Sequence, residues 1–450
     1  MTSTAPPGSL LPLTARGLDE IVFWRGAAAV RCARFLGNAQ ALAARLPDRP
    51  YAVNLCRDRY HFLVAFAAAL LCGQVSLLTS DRSPHRLREL AQRYPGAYAL
   101  GDDDEVSPAL PQQRVTLDED APAWSGEVPA IAAERVAALV FTSGSTGEPV
   151  ANAKPWHALV ACTEAAAERF GWDGPVCHAI IGTVPPQHMY GFETTVLMPL
   201  HGNVASYAGD TFFPPDLHQA LRHVAGPRVL VTTPLQLRAL LAEPAPIAEL
   251  DCVISATAPL AIDLAAQAER AWGTRVFEIF GATEMGSIAS RRTVAGDTWQ
   301  TYRSVGLRAE GDGAAALVRH LPHPVPFGDT VELLGGDRFR LIGRKSDLVK
   351  IAGKRASLAG LNQLLCEIDG VEDGVFVVPD DLEDNPVARL IVYVVAPSRS
   401  AGEIMEALRQ RIEAPFLPRR LLMVSALPRN GVGKLPHSAL AELQRRVGES

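Results

Sequence analysis

The residues best suited to chemistry lie in one glycine-rich segment. Residues 140–154 read Val-Phe-Thr-Ser-Gly-Ser-Thr-Gly-Glu-Pro-Val-Ala-Asn-Ala-Lys. Glycine lets a backbone approach a ligand closely, hydroxyl groups donate hydrogen bonds, and lysine adds a positive charge, as a phosphate-binding loop requires. A run of this composition is also typical of a linker or tight turn. We predict phosphate binding by its central residues, which are Thr142, Ser143, Gly144, Ser145, Thr146 and Gly147.

This loop differs from the phosphate loop of ATP-hydrolysing P-loop enzymes. No Gly-Lys-Ser/Thr follows its glycines, and no helical pattern opens directly on it. A P-loop hydrolase, which releases phosphate rather than pyrophosphate, is therefore the weakest interpretation. Residues 135–141 are instead typical of a short strand, and a helical pattern begins after Trp156. The loop thus follows a strand end, where backbone amides converge on a phosphate.

Four further segments combine small, polar and charged residues. Residues 255–260 (Ser-Ala-Thr-Ala-Pro-Leu) leave room for a flat ring, and residues 280–286 (Phe-Gly-Ala-Thr-Glu-Met-Gly) end the next predicted strand. The sequence Phe-Gly-Asp at 327–329 precedes Gly-Arg-Lys-Ser-Asp at 343–347, and Pro-Arg-Asn-Gly-Val-Gly-Lys occupies 428–434. In this order, the segments resemble the adenylate-forming (ANL) superfamily of acyl- and aryl-CoA synthetases, luciferases and nonribosomal adenylation domains.

The resemblance implies a site for ATP and Mg²⁺. The glycine-rich loop would wrap the β- and γ-phosphates, and Thr283 would contact the α-phosphate. Glu284, otherwise a solvated carboxylate at a strand end, would hold Mg²⁺. Asp329 would accept hydrogen bonds from the ribose hydroxyls, and Arg344 would also reach the ribose. Adenine would lie between two strand ends formed by Thr257, Ala258, Pro259, Phe280 and Gly281, although Phe280 alone is equally typical of core packing.

The same resemblance implies two half reactions. Lys434, otherwise a solvated loop residue, would align the acid with the α-phosphorus and stabilise charge in the first. For the second, family members rotate the C-terminal lobe about a hinge, here Ser346, and bring Lys350 to Gly353 into the site. His188 would orient or gate the acid rather than carry a proton, although a lone histidine in an apolar stretch is more often a core residue.

The implied acid pocket consists of small and flat residues, which suit a ring better than a flexible chain. Its residues would be His188, Tyr190, Phe192, Ala256, Phe280, Gly281, Ala282 and Met285. A short, stand-alone member of this kind is similar to the aryl-acid ligases of xanthomonadin and aryl-polyene pigment pathways. The first substrate would be 4-hydroxybenzoate or another hydroxybenzoate, and the alternatives a medium-chain fatty acid or a different aryl acid.

The implied acceptor is a thiol that the chain does not itself carry. No Gly-x-Asp-Ser segment follows the terminal lysine, so no fused carrier domain is expected. The acyl group would pass to free CoA or to the phosphopantetheine of a separate acyl carrier protein.

Some positions depart from the family pattern. The lysine usual after the loop proline is Val150 here, and Lys154 is the nearest substitute. The hinge residue is Ser346 instead of Asp or Lys, and His437 replaces an arginine three residues after Lys434. A degenerate nucleotide-binding protein without activity is therefore an alternative, although the intact Glu284, Asp329 and Lys434 count against it.

The elements that must position these residues alternate between strand and helix patterns, which predicts an α/β fold. We expect a large N-terminal domain, residues 1–343, of two doubly wound sheets with a small β-rich lobe from residue 296. Residues 344–450 would form a small, mobile α+β C-terminal domain. Residues 18–46 show helical spacing that predicts one or two amphipathic helices, and residues 102–127 are expected to be a surface connection.

Composition excludes several classes of protein. The 450 residues are 48% hydrophobic, which provides a large core, and the net charge of -6 gives no basic excess for general nucleic-acid binding, although it leaves local basic patches open. The 7 cysteines include no Cys-x-x-Cys pair, so neither a disulfide framework nor a zinc site is indicated, and a reducing cytoplasm is expected. Residues 1–14 lack a basic start followed by a long apolar core, so no export signal is expected, and the apolar run at 62–72 is too short to span a bilayer.

Overall fold

The computed structural model describes residues 8–103, 109–117, 122–143, 149–243, 247–310, 313–344, 348–351, 354–379, 389–430, 433 and 435–448. The chain divides into two compact units. The first contains residues 1–296, 300–306 and 317–325, and the second contains residues 297–299, 307–316 and 326–450. Residues 297–325 therefore supply pieces to both units. The predicted boundary between an N-terminal domain of residues 1–343 and a C-terminal domain of residues 344–450 stays a prediction.

The strands up to residue 292 belong to the first unit. They are β1 (Leu10–Pro12), β2 (Ile21–Arg25), β3 (Ala28–Arg31), β4 (Tyr51–Asn54), β5 (Val75–Leu78), β6 (Tyr98–Gly101), β7 (Gln112–Arg114), β8 (Ala130–Ala132), β9 (Val136–Ser143), β10 (Pro149–Pro155), β11 (His178–Gly182), β12 (Val204–Tyr207), β13 (Arg228–Thr232), β14 (Cys252–Ser255), β15 (Arg275–Ala282) and β16 (Gly286–Arg292). The short strands that follow are β17 (Thr298–Thr301), β18 (Val305–Glu310), β19 (Gly313–Val318) and β20 (Val325–Pro326).

The helices of the first unit connect these strands. They are α1 (Cys32–Ala43), α2 (Arg59–Leu71), α3 (Pro84–Arg93), α4 (Trp156–Phe170), α5 (Met189–Gly191), α6 (Met198–His201), α7 (Pro214–His223), α8 (Pro234–Ala242) and α9 (Ile262–Trp272), with a π-helical turn at Phe192–Leu197 between α5 and α6. Side chains of Asp58, Ser83 and Thr233 accept backbone N–H groups at the starts of α2, α3 and α8, as helix N-caps do.

Two mainly parallel sheets form the first unit. The first sheet has the order β10-β9-β5-β4-β6-β7, in which only the β10–β9 pair is antiparallel. The second sheet contains the order β16-β15-β14-β13-β11-β12-β2-β3, in which β12, β11, β13, β14 and β15 are mutually parallel neighbours. Its central strands are continuous apolar runs such as Val229 to Val231, because parallel strands are covered on both faces.

The core lies largely around α2, which is apolar on every side. Phe62 to Ala69 are fully buried, and they share one hydrophobic cluster with Ala52 of the first sheet and Phe23 of the second. The ring of Phe66 contacts both Trp156 and Phe192. A helix buried all round is expected where it lies between two sheets.

The second unit has its own strands, helices and core. Its remaining elements are β21 (Asp329–Gly335), β22 (Arg338–Arg344), β23 (Leu348–Ile351), β24 (Lys354–Ser357), α10 (Leu358–Cys366), β25 (Asp373–Val377), β26 (Ile391–Val395), α11 (Ala401–Arg409), β27 (Arg420–Met423) and α12 (His437–Gly448). β21 pairs with β22, β23 pairs with β24, and β25, β26 and β27 form a three-stranded sheet. Leu365, Leu390, Ile404 and Leu408 are fully buried in its core.

Two predictions about the N-terminal half hold only in part. Residues 18–46 contain one helix, α1, as expected, but the β2–β3 hairpin precedes it and was not foreseen. The strand forms because β2 gains backbone hydrogen bonds from β12, a partner distant in sequence that helical spacing cannot reveal. Residues 102–127 likewise contain β7, which extends the edge of the first sheet beside β6.

Neither membrane helices nor disulfides occur in the described chain. Among the helices that the structure describes, none is both long and apolar enough to cross a bilayer. The cysteines at 32, 56, 72, 162, 177, 252 and 366 are all free thiols.

His201 of α6 is expected to make the stability of the first unit depend on pH. The side chain is buried beside Trp156, with 5.3 Å between ring centres, and burial lowers its pKa from 6.5 to about 4. Between those values the unfolded chain takes up a proton that the folded chain does not, so stability falls as pH decreases from 6.5 towards 4. We expect a loss of about 1.4 kcal/mol per pH unit from this group.

Thermal unfolding at pH 7, 5.5 and 4.5 tests this expectation. His201→Leu should lose less stability on acidification than the unsubstituted chain, whereas the same change at exposed His85 should leave the acid sensitivity unaltered. Equal pH dependence for all three proteins would show that His201 is not kept neutral by the fold.

Candidate functional site

The second sheet brings three predicted site segments to one edge. Strands β11, β13, β14 and β15 are parallel neighbours, so their carboxyl ends lie side by side. His188 and Tyr190 follow β11, the predicted adenine segment at 257–259 follows β14, and Thr283 and Glu284 follow β15. Ligands of open α/β sheets bind in crevices at this edge. The topology thus groups residues that are up to about a hundred positions apart in the chain.

The glycine-rich segment connects two antiparallel strands. β9 ends at Ser143 and β10 begins at Pro149, and these residues are partners in the pairing, as are Thr142 and Val150. The predicted position of the loop after a strand end is therefore confirmed, and the strand that follows it was not foreseen. Four of the predicted phosphate-binding residues, Gly144, Ser145, Thr146 and Gly147, lie outside the described residues, as do the side chains of Thr142 and Ser143. Their phosphate contacts stay a prediction.

The turn between β15 and β16 carries the predicted metal ligand. Thr283 is half-buried and Glu284 is exposed, while Met285 is buried and donates its backbone N–H to the oxygen of Ala282 over 3.1 Å. Among the described residues, no group of three or more His, Cys, Asp or Glu side chains is arranged so that it could hold a metal ion. One exposed carboxylate fits Mg²⁺, which keeps several waters and binds substrate phosphates through few protein ligands.

Lys154 is directed to this turn. Its side chain is only 5% exposed, and Nζ donates a hydrogen bond to the backbone oxygen of Glu284 over 3.1 Å. Burial lowers the pKa of Lys154, while the charges of Glu193 and Glu284 oppose that shift. Lys154 thus supports the turn carrying the predicted metal ligand, and its substitution for the usual loop lysine at the phosphates stays a prediction.

Glu193 is a buried carboxylate that sequence analysis did not single out. It accepts hydrogen bonds from the backbone N–H and Oγ of Ser287 over 3.2 and 2.9 Å, and from Sγ of Cys162 over 3.2 Å. Burial raises the pKa of Glu193, opposed by these hydrogen bonds and by Lys154. The available signal was a single carboxylate within the apolar run from Met189 to Leu200.

The predicted adenine segment combines backbone strain with firm support. Thr257 has φ of 78°, the one positive value among described residues other than glycine, a conformation that costs free energy in a β-branched residue. Thr257 is half-buried, and Ala258 and Pro259 are exposed, as a ligand-facing segment requires. The following residue, Leu260, donates its backbone N–H over 2.9 Å to buried Glu278.

Glu278 is a second functional support that sequence analysis missed. Its other carboxylate oxygen accepts hydrogen bonds from Arg291 over 2.7 Å and from Thr293 over 3.1 Å. The carboxylate therefore ties the adenine segment to β16. Glu278 lies inside β15, and the sequence of this strand does not mark it as unusual. Only the burial of its side chain in the structure reveals that it supports the predicted adenine segment.

The predicted acid-pocket residues differ in what they contact. The hydroxyl of Tyr190 donates to the backbone oxygens of Thr232 and Ile254, at the ends of β13 and β14. His188 accepts the backbone N–H of Tyr190 at Nδ1 over 3.3 Å, so it caps its own helix.

The ring of Phe192 is fully buried in the core beside Phe66. Ala256 and Met285 are buried, and Phe280 and Ala282 are half-buried. Acid binding by this set stays a prediction.

The predicted ribose residues lie opposite each other within the second unit. Asp329 begins β21 and Arg344 ends β22, and the two are partners in the antiparallel pairing. Asp329 is half-buried, and the side chain of Arg344 lies outside the described residues. Two residues that the resemblance assigns to one sugar are therefore neighbours.

The segment that leads to Lys434 is fixed to the sheet of the second unit. Arg429 donates two hydrogen bonds of 2.7 Å to Asp373 of β25 and a third of 3.0 Å to the backbone oxygen of Gly433. Such a bidentate pair has a defined geometry. The predicted residues Ser346, Gly353 and Lys434 lie outside the described residues, as does the side chain of Lys350.

Comparisons with known proteins show the family to which this chain belongs. The family model described as AMP-binding enzyme matches residues 50–334. A probable 2-succinylbenzoate–CoA ligase of Mycobacterium tuberculosis is 28% identical over 70% of this chain and 86% of the relative. A 4-coumarate–CoA ligase of Rhodobacter capsulatus is 29% identical over 67% of this chain and 75% of the relative.

Solved structures confirm the predicted α/β fold class. An anthranilate CoA ligase in complex with anthranoyl-AMP matches with a TM-score of 0.79 at 12% identity, over 98% of this chain and 99% of that one. The o-succinylbenzoate coenzyme A synthetase of Bacillus subtilis, in complex with ATP and magnesium ion, matches with a TM-score of 0.76 at 20% identity, over 93% and 95% of the two chains. The family match covers more than half of the sequence, so the chain belongs to the AMP-binding enzyme family and is an AMP-forming ligase.

Proposed function

We propose that this enzyme uses ATP to activate a small aromatic carboxylic acid as an acyl-adenylate and then passes the acyl group to a thiol. The observation that supports the proposal is the grouping of the predicted acid segment, the predicted adenine segment and the turn with Thr283 and Glu284 at the carboxyl edge of β11, β14 and β15. The names of the relatives, 2-succinylbenzoate–CoA ligase and 4-coumarate–CoA ligase, support an aromatic acid and CoA. A hydroxybenzoate is the first substrate that we propose.

In the first half reaction, an oxygen of the acid's carboxylate attacks the α-phosphorus of ATP. A bond forms between that oxygen and phosphorus, the bond to the bridging oxygen of the β-phosphate breaks, and pyrophosphate leaves. Lys434 would align the two anions and stabilise charge in the transition state, and Thr283 would contact the α-phosphate. Mg²⁺, held by Glu284, would neutralise charge on the departing phosphates.

In the second half reaction, a thiolate attacks the carbonyl carbon of the acyl-adenylate, and AMP leaves with the electrons of the broken carbon–oxygen bond. Rotation of the C-terminal domain about Ser346 would withdraw Lys434 and bring Lys350 and Gly353 to the site. The acceptor is free CoA or the phosphopantetheine of a separate acyl carrier protein. The free thiols of the chain are in keeping with the cytoplasmic location that we propose.

Exchange of labelled pyrophosphate into ATP, measured over a panel of acids, tests the function. We expect exchange to depend on added acid and kcat/KM for a hydroxybenzoate to exceed that for octanoate by at least about 100-fold, because a pocket that binds a rigid ring discriminates strongly. A second series then supplies CoA or a phosphopantetheinylated carrier protein and measures thioester formation. A higher kcat/KM for octanoate would show that the substrate is a fatty acid rather than an aryl acid. ATP binding without any pyrophosphate exchange would favour the non-catalytic alternative.

A further inference from the structure

A small cavity, lined mostly by apolar residues together with a few polar side chains, lies against the wall predicted to hold the acid. It measures about 20 Å³, enough for one water-sized group. Met285, a predicted acid-pocket residue, forms part of its wall, and so does Met189, which lies between predicted pocket residues His188 and Tyr190 in the chain. Lys154, Glu193 and His320 supply the polar part of the lining. Apolar side chains thus form one part of the cavity lining. The polar side chains of Lys154, Glu193 and His320 form the other part, which we call the floor.

The floor offers both donors and acceptors to a bound group. Lys154 has three N–H bonds, and the described residues occupy one of them, through the backbone oxygen of Glu284. Glu193 accepts three hydrogen bonds, from Ser287 and Cys162, and a carboxylate has room for about four. Nδ1 of His320, a residue only 7% exposed, has no hydrogen-bond partner in the described part of the chain. A buried polar group that lacks a hydrogen bond costs free energy. A ligand group that supplies the missing hydrogen bonds therefore binds more tightly there.

We propose that Glu193 and Lys154 determine substrate specificity by binding a hydroxyl group on the ring of the acid. The hydroxyl donates its hydrogen to the carboxylate of Glu193 and accepts a hydrogen bond from the ammonium of Lys154. Apolar contacts with Met189 and Met285 hold the ring edge. The inference rests on the proposed activation of an aromatic acid. It goes further by naming the two side chains that select among such acids.

The chemistry of the floor distinguishes a hydroxyl from other ring substituents of similar size. A phenolic hydroxyl both donates and accepts, whereas a ring amino group chiefly donates and would place its hydrogens against the Lys154 ammonium. A methyl group or hydrogen would leave the remaining acceptor position of Glu193 and the remaining N–H bonds of Lys154 without a ligand partner. A site that hydrogen-bonds a substrate hydroxyl rejects analogues without it far more strongly than an apolar pocket rejects a size difference. Hydroxybenzoates are therefore the expected substrates, ahead of aminobenzoates, methylbenzoates and benzoate.

The test is the ratio of kcat/KM for hydroxybenzoate to that for benzoate, measured by acid-dependent pyrophosphate exchange with the full chain. Both 3- and 4-hydroxybenzoate are assayed, together with the matching amino- and methylbenzoates. We expect the better hydroxybenzoate to exceed benzoate by at least about 100-fold, and Glu193→Gln to reduce that ratio by about 10-fold or more. Lys154→Met should also reduce it. Because Lys154 supports the Glu284 turn, its loss slows every acid, and the ratio removes that common effect.

Glu164→Gln is the matched control, since it makes the same chemical change at an exposed position of α4. Its ratio should equal that of the unsubstituted enzyme. Melting temperatures show whether each variant is folded. An unchanged ratio in folded Glu193→Gln and Lys154→Met would overturn the inference, as would preference for an aminobenzoate or for benzoate itself. Exchange with no aromatic acid at all would instead overturn the proposed function.

Discussion

Replacement of Lys434 by alanine is expected to reduce acid-dependent pyrophosphate exchange by at least about 100-fold. A positioned ammonium that contacts both the carboxylate and the α-phosphate contributes by alignment and by stabilising transition-state charge, and each effect is worth orders of magnitude in rate. The segment that leads to this residue is held by the bidentate Arg429–Asp373 pair, and alanine supplies no cation in place of the lost ammonium. ATP binding should change much less, because the predicted nucleotide contacts lie elsewhere.

Two controls separate a catalytic role from a general effect. Arg445→Ala removes an exposed cation of α12, from the same unit, and should leave exchange within about twofold. In the second half reaction, Lys434→Ala should retain most of its ability to form thioester from a synthetic acyl-adenylate, because the lysine is withdrawn at that stage. Exchange within a few-fold of normal in Lys434→Ala would remove the role assigned to this residue.

Alanine at Gly281 is expected to abolish exchange for a different reason. A Cβ at this position would lie 2.3 Å from the backbone oxygen of Gly286 and 2.7 Å from Cα of Ser287. Both atoms belong to β16, which pairs with β15, so no side-chain rotation relieves the overlap and the hairpin has to open. The turn that carries Thr283 and Glu284 lies within this hairpin. We expect a loss of at least about 100-fold in exchange, because displacement of catalytic groups by about 1 Å has an effect of that size.

The same substitution should also lower stability by about 1–3 kcal/mol, which is typical of overpacking. Gly174→Ala is the control in the same unit, since its Cβ would have only an ordinary contact, 3.5 Å from the backbone oxygen of Gly171. Exchange, Mg²⁺-dependent ATP binding and melting temperature are compared for both variants. A Gly281→Ala enzyme that melts normally and exchanges pyrophosphate at the usual rate would show that the hairpin tolerates the side chain and that the turn need not be held closely.

The sequence predicted local elements well where the signal itself was local. The short apolar run at residues 135–141 located β9 (Val136–Ser143) to within two residues, because such a run is itself a strand signal. The order of glycine-rich and acidic segments predicted the family, since close backbone approach and phosphate charge restrict which residues serve there. The failure at residues 18–31 has the opposite cause, because β2 exists through hydrogen bonds to β12, near residue 206.

By itself, the sequence determined the α/β class, the order of the site segments and the chemistry of their side chains. Only the tertiary structure decided where buried charges find their partners: Lys154 bonds to Glu284, 130 residues away, and Glu193 bonds to Ser287, 94 residues away. Periodicity records which face of an element is apolar and contains no information on which distant polar group meets it. The physical reason is that a buried charge is tolerated only where the folded chain supplies its hydrogen bonds, so its partners are fixed by the packing of the sheets and helices.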